Sequence, residues 1–112
     1  MSFDQPVLQL TVSEARALLD SGGATALDVR EPYEWEAGRM PGSLWIPMGQ
    51  LAGRLDELPA GPLVVVCRVG SRSGHVAGAL AARGYDARNL IGGLEMWHAS
   101  GYPLEPEGGT VA

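Results

Sequence analysis

One thiol stands in this chain, in unusual company for a buried cysteine. Cys67 follows the apolar run Leu63-Val64-Val65-Val66 and precedes Arg68, Val69, Gly70, Ser71, Arg72 and Ser73. Two guanidinium groups, two hydroxyls and a glycine therefore fall within six positions of the sulfur. None of the six residues is proline, so each carries a main-chain N–H able to point inward, and Gly70 permits a turn that a side chain would oppose. Amides arranged around a sulfur atom, with a helix N-terminus behind them, make a cradle for an anion. Arg68 and Arg72 add positive charge nearby. All three influences favour thiolate over thiol, so Cys67 is expected to ionise below the free value of about 8.5. The competing reading is a small buried hydrophobe, the ordinary fate of a free cysteine, with the arginines as solvated surface charges. A nucleophilic role also requires a sulfur that is not sealed away from solvent.

Outward from the thiol, Pro, Gly and Asp residues divide the chain into short alternating pieces. PVLQL (6–10) reads as a strand, and Thr11 with Glu14 three residues on forms a capping box that opens a helix ending at Gly22-Gly23. ATALDV (24–29) reads as a second strand and EPYEWEAG as a short turn or helix. SLWIP (43–47) is a third strand, followed by a helix from about Gly49 to Leu58. LVVVC (63–67) is long enough for a strand buried on both faces and too short for a core helix. A helix beginning at about Ser73 runs to Gly84, which is placed to end it. DARNLIG is a fifth strand and GLEMWHASG a last short helix. Residues 1–112 read as one domain, with about 104–112 as a frayed, Pro- and Gly-rich tail. Strands alternating with helices predict an α/β domain built on a parallel sheet, in which ligands sit beyond the carboxyl ends of strands. Cys67 lies at such a place.

Composition removes several chemistries. The net charge of −5 offers no basic stripe for nucleic acid. All eight basic residues are arginine, so a phosphate-gripping lysine, a Schiff-base lysine and a lysine base are excluded. One cysteine and two isolated histidines do not form metal-binding pairs. A single cysteine forms no internal disulfide. With no leader-like N-terminus and no apolar run of membrane-spanning length, the expectation is a soluble cytoplasmic protein without membrane association, monomeric by default.

Three segments then resemble one family, the single-domain rhodaneses that transfer sulfur from thiosulfate or persulfides. LDVREPYEWEAGRMPGSLWIP is similar to the family's first signature, VVVCRVGSRS resembles its active-site loop, and LIGGLEMWHASGYPLEP is similar to its closing signature. The resemblance implies a five-stranded parallel sheet with helices on both faces, a nucleophilic Cys67 and no metal or organic cofactor. It implies that Cys67 takes the outer sulfur of thiosulfate or another sulfane donor and passes it to a thiol, cyanide, or a thioredoxin-like protein. The loop residues Arg68, Val69, Gly70, Ser71, Arg72 and Ser73 would bind the donor, the arginines through charge-assisted hydrogen bonds. Two further readings stand beside this one. A sulfur-carrier or persulfide-sensing module would be loaded by a protein such as a cysteine desulfurase. Phosphatase or arsenate reductase-like chemistry is weaker, since related phosphatases use a C-x5-R loop and here only four residues separate Cys67 from Arg72. Arg39, where many relatives have His, is expected either to be tolerated in the turn or to enlarge the positive field.

The remaining polar and aromatic residues read mostly as structural. Asp28 and Arg30 close the second strand, and an internal ion pair pinning the loop is favoured over a direct part in the site. Glu31 and Glu34 read as a solvated loop face. His75 is disfavoured as a cation at a helix start and reads as neutral and partly exposed; His98 reads as surface. Trp97 is assigned to the core, Trp35 and Trp45 to core or rim packing. Ser71 and Ser73 could hydrogen-bond a bound sulfur, although Ser73 is also the ordinary choice for an N-cap.

Overall fold

The run Leu63–Val66 can be buried on both sides, and that makes it the centre of the sheet. The structure, a computed structural model, describes residues 7–112. Five strands, β1 (Leu8–Leu10), β2 (Thr25–Asp28), β3 (Leu44–Trp45), β4 (Leu63–Val66) and β5 (Ala87–Leu90), pair in parallel in the order β1-β5-β4-β2-β3. The predicted α/β class and five-stranded parallel sheet are what the chain forms. Pro6 of the first expected strand lies outside the described residues.

Side chains of β4 alternate between two layers. Val64 and Val66 join Ala15 of α1 (Val12–Asp20) and Leu94 and Trp97 of α4 (Gly93–Ala99). Leu63, Val65 and Cys67 join Val76, Ala77 and Leu80 of α3 (Ser71–Ala82), together with Leu51. Each fully buried valine here contributes about 1.5–3 kcal/mol against the exposed chain. The capping box of α1 forms as read: Thr11 N–H donates to Glu14 Oε1 at 2.9 Å, and Glu14 N–H donates to Thr11 Oγ1 at 3.2 Å. α2 (Pro32–Ala37) completes the connection from β2 to β3. No helix among the described residues is long and apolar enough to cross a membrane.

Three expectations are corrected. The helix placed at about Gly49–Leu58 is two 3-10 segments, Met48–Gly53 and Leu55–Glu57. Gly49 and Gly53 each cost a regular helix about 1 kcal/mol relative to alanine, and so short a piece cannot recover it. α3 starts at Ser71 rather than Ser73, because Gly70, at φ +100°, takes the N-cap position. The tail is not frayed. Arg39 N–H donates to Glu105 O at 2.8 Å, Glu105 N–H donates to Arg39 O at 2.7 Å, and Thr110 N–H donates to Ala37 O at 2.8 Å. Leu104 and Val111 pack against the α1/α4 layer.

Candidate active site

β4 ends at Val66 and delivers Cys67 to the carboxyl edge of the sheet, directly before the N-terminus of α3. Between them the backbone turns back on the sulfur. Gly70 N–H donates to Cys67 Sγ at 3.1 Å, and Ser73 Oγ lies 3.2 Å from it. The turn depends on glycine: at φ +100°, a Cβ on Gly70 would also stand 3.2 Å from Leu90 O and 3.3 Å from Gly92 N. From the other side α4 grips the same loop. Leu94 N–H donates to Cys67 O at 2.9 Å and Glu95 N–H to Arg68 O at 3.0 Å. That approach requires Gly93, since a Cβ there, at φ +60°, would fall 2.5 Å from Arg68 O and 2.6 Å from Cys67 O. Gly93 thus sets how closely α4 can approach the cysteine loop.

Ionisation of Cys67 reflects opposed influences. Burial is the largest and opposes the charge. Against it act the Ser73 hydroxyl and the main-chain N–H groups of Ser73, Gly70 and Val69, which together hold the thiol below its ordinary value. The expectation of a reachable sulfur needs correction, however. Cys67 is 0 % exposed and belongs to the α3-side core. Its sulfur lies beneath the loop it organises, while Arg68, Val69 and Ser71 above it face solvent. A concavity of about 380 Å³ between the 3-10 segments and α3, lined by Met48, Leu51, Leu55, Val76 and Ala79, does not include Cys67.

The two loop arginines differ. Arg68 is half exposed and only loosely paired with Glu95 at 3.3 Å, so it is free to meet an anion. Arg72 is committed elsewhere: its Nη1 and Nη2 donate to Glu34 Oε1 and Oε2 at 2.7 and 2.8 Å. Glu34 is buried, not part of a solvated face as expected; only Glu31 is exposed. The Arg72 hydrogen bonds hold the Glu34 carboxyl below the usual carboxylate range; burial opposes this, and the Glu31 N–H at 3.0 Å adds to it. The signal for Glu34 was present in the sequence: Pro32 at a helix start, with an acid three residues after Glu31, is an N-terminal capping pattern. Its partner, 38 residues away, left no local signal.

Asp28 and Arg30 form a fully buried pair behind this contact. Asp28 accepts from Arg30 Nε and Nη2 at 2.9 and 2.8 Å, while Arg30 Nη1 and Nη2 donate to Glu34 O and Gly38 O. Every guanidinium nitrogen of Arg30 is engaged, Nε with Asp28 of β2, Nη1 with α2 and Nη2 with Asp28 and the residue after α2, and none hydrogen-bonds the sulfur. Ser73 sits in the first turn of α3 and caps nothing; it contacts Cys67 and donates to Asn89 Oδ1 at 2.6 Å. Asn89 was not singled out from the sequence. His75 and His98 are exposed, Trp97 is buried, and Trp35 and Trp45 stack at 5.2 Å on the rim.

The geometry has counterparts. Residues 11–100 match the family model for the rhodanese-like domain. The chain belongs to that family. Among its rhodanese-like relatives, a sulfurtransferase of Allochromatium vinosum is 34% identical over 99 residues, which cover 86% of this chain and 92% of the relative. The thiosulfate sulfurtransferase GlpE of Pseudomonas syringae is 35% identical, with 82% and 87% covered. A rhodanese-related protein from Thermoplasma volcanium has a crystal structure that superimposes with a TM-score of 0.81 at 28% identity, covering 87% of this chain and 96% of that one. The rhodanese-like assignment accounts for the three sequence segments resembling one family and for the sheet order around Cys67.

Proposed function

We propose that this protein is a thiosulfate-class sulfurtransferase that carries the transferred sulfur as a persulfide on Cys67. The sulfurtransferase names of its relatives support sulfur transfer in general. One observation supports the specific step: a thiol at the carboxyl end of the central strand, held below its ordinary ionisation against its burial by the Ser73 hydroxyl and the N–H groups of Ser73, Gly70 and Val69, the Gly70 N–H lying 3.1 Å from the sulfur. The thiolate attacks the outer sulfur of thiosulfate, a sulfur–sulfur bond forms, and the bond to the inner sulfur breaks. Sulfite leaves with the bonding electron pair, and the outer sulfur of Cys67–S–S⁻ carries the charge. Main-chain amides of the loop meet that charge with little reorganisation. An acceptor nucleophile, a thiolate or cyanide, then attacks the outer sulfur and returns Cys67 as a thiolate.

Arg68 is the loop cation available to an anionic donor, whereas Arg72 acts through Glu34 to fix the loop against α2. Because Cys67 is covered, the donor approaches past the side chains of Arg68, Val69 and Ser71, the exposed residues of the loop, while its main-chain amides stay on the sulfur. Incubation with thiosulfate should add one sulfur to the intact mass and release sulfite, with neither seen for Cys67→Ser. No added sulfur and no sulfite from the wild-type protein would reject thiosulfate as donor. A carrier loaded by a protein donor would gain the sulfur from a cysteine desulfurase instead. Turnover of an aryl phosphate would favour phosphatase chemistry, a reading raised by one structural relative described as a possible tyrosine phosphatase.

A further inference from the structure

A polar chain continues behind the sulfur. Ser73 Oγ lies 3.2 Å from Cys67 Sγ and 2.6 Å from Oδ1 of Asn89, a residue of β5 that is 5% exposed. The amide nitrogen of Asn89 donates to Gly70 O at 3.1 Å and to Gln9 Oε1 at 2.9 Å. A carbonyl oxygen only accepts, so the atom of Asn89 beside Gly70 O must be its NH2 group. Oδ1 must then face Ser73. Since Oδ1 cannot donate, the single hydroxyl hydrogen of Ser73 makes the 2.6 Å bond. With Cys67 as a thiol the chain balances: S–H donates to Ser73 Oγ, and Ser73 donates to Asn89. Once the sulfur is ionised it only accepts, and two acceptors claim one hydrogen.

We infer that Asn89 is a positioning residue for Cys67, competing with the thiolate for the Ser73 hydrogen and thereby limiting how readily the sulfur ionises. The inference deepens the sulfurtransferase reading and rests on it for its meaning in turnover. Ionisation of Cys67 itself can be followed without any sulfur donor. The charged groups near the sulfur belong to other elements: Arg72 of α3 with Glu34 of α2, and Arg68 with Glu95 of α4. None of them hydrogen-bonds Asn89, so a change there leaves the local charges in place. Asn89 also has a second, opposite influence. Its NH2 group holds Gly70 O, and Gly70 supplies the N–H on the sulfur.

The two influences separate in a four-protein comparison: wild type, Ser73→Ala, Asn89→Leu and the double variant, each alkylated with iodoacetamide across pH. Cys67 is the only thiol, so the rate reports one atom. Ser73→Ala should raise the midpoint. Asn89→Leu should lower it by about one pH unit, because the Ser73 hydrogen is released to the thiolate. With Ser73→Ala already present, Asn89→Leu should no longer lower it, which a general loosening of the loop would not reproduce. A midpoint that stays or rises in Asn89→Leu, or that falls equally without Ser73, would overturn the inference. Should Asn89→Leu not fold, the infrared S–H stretch of the neutral thiol decides the matter. It should show a hydrogen-bonded S–H in wild type and a freer one in Ser73→Ala; no difference rejects the chain. Failure of thiosulfate to load any variant would count against the sulfurtransferase reading alone, provided the alkylation midpoints separate as stated.

Discussion

Arg72 and Glu34 share two hydrogen bonds of 2.7 and 2.8 Å, with the carboxylate side chain 2% exposed and the guanidinium 33%. This asymmetry decides what each charge can do. The arginine can keep partial hydration if its partner is lost, whereas the carboxylate depends on the arginine and on the Glu31 N–H. Glu34→Gln removes the charge but keeps the shape, and should cost about 1–2 kcal/mol at neutral pH. The folded carboxyl ionises at lower pH than the unfolded one, so its contribution is fully present above the ordinary carboxylate range. It is lost as pH falls through the lowered folded value. Urea denaturation of wild type and Glu34→Gln should therefore differ at pH 7 and converge in acid; a constant difference would show that the ion pair is not responsible. The sequence identified Arg72 as a loop cation and Glu34 as surface, since local spacing shows neither a contact 38 residues distant nor the burial it causes. Ser73 shows the opposite case: its position beside the cysteine was legible, but its partner on β5 was not.

The cysteine loop is shaped as much by the start of α4 as by α3. Gly93 has no room for a side chain because α4 donates its Leu94 and Glu95 N–H groups to the carbonyls of Cys67 and Arg68. Gly93→Ala must push α4 off the loop and also occupy φ +60°, so its cost should exceed about 3 kcal/mol. Gly84, after the end of α3, has φ +92° and nothing within 4 Å of the place a Cβ would take. Gly84→Ala carries only the backbone penalty, about 1 kcal/mol. Denaturant titration of the two variants compares directly, since the left-handed backbone is common to both. Similar costs would mean that the α4 contact is unimportant. Strands β2 and β4 and helix α1 were legible because apolar runs and a capping box are local patterns. The start of α3 was misplaced by two residues because serine is the usual N-cap, whereas here Gly70 takes that position to bring its own N–H onto the sulfur. The 3-10 segments were missed for a different reason: a hydrophobic pattern can suggest a helix where glycine prevents a regular one.

Across the whole molecule, the Pro- and Gly-rich composition of residues 104–112 suggested a loose end, but composition gives no account of the surface on which a segment lands. Glu105 pairs in both directions with Arg39, and Thr110 reaches Ala37, so the tail closes over the turn that follows α2. Arg39 itself donates from Nη1 to Trp35 O at 3.1 Å and lies 5.0 Å over the Trp35 ring. Its guanidinium is thus turned back onto Trp35 of α2. α2 also carries Glu34, the partner of Arg72, so the tail supports the cysteine loop through two intermediate contacts. Removing residues 105–112 deletes the three main-chain hydrogen bonds that join the segment to residues 37–39 and the packing of Val111, together worth about 2–3 kcal/mol. For a domain of this length that corresponds to a fall of roughly 10 °C in Tm. Thermal unfolding of the truncated chain measures the fall, and a Tm unchanged within a degree or two would show that the segment is dispensable to the fold. The truncated protein should also alkylate Cys67 with a midpoint close to wild type, because the sulfur's hydrogen bonds, to Gly70 and Ser73, and that of Ser73 to Asn89 all lie outside the removed segment. A large shift in that midpoint would mean that the turn after α2 transmits its position through Glu34 and Arg72 to the thiol.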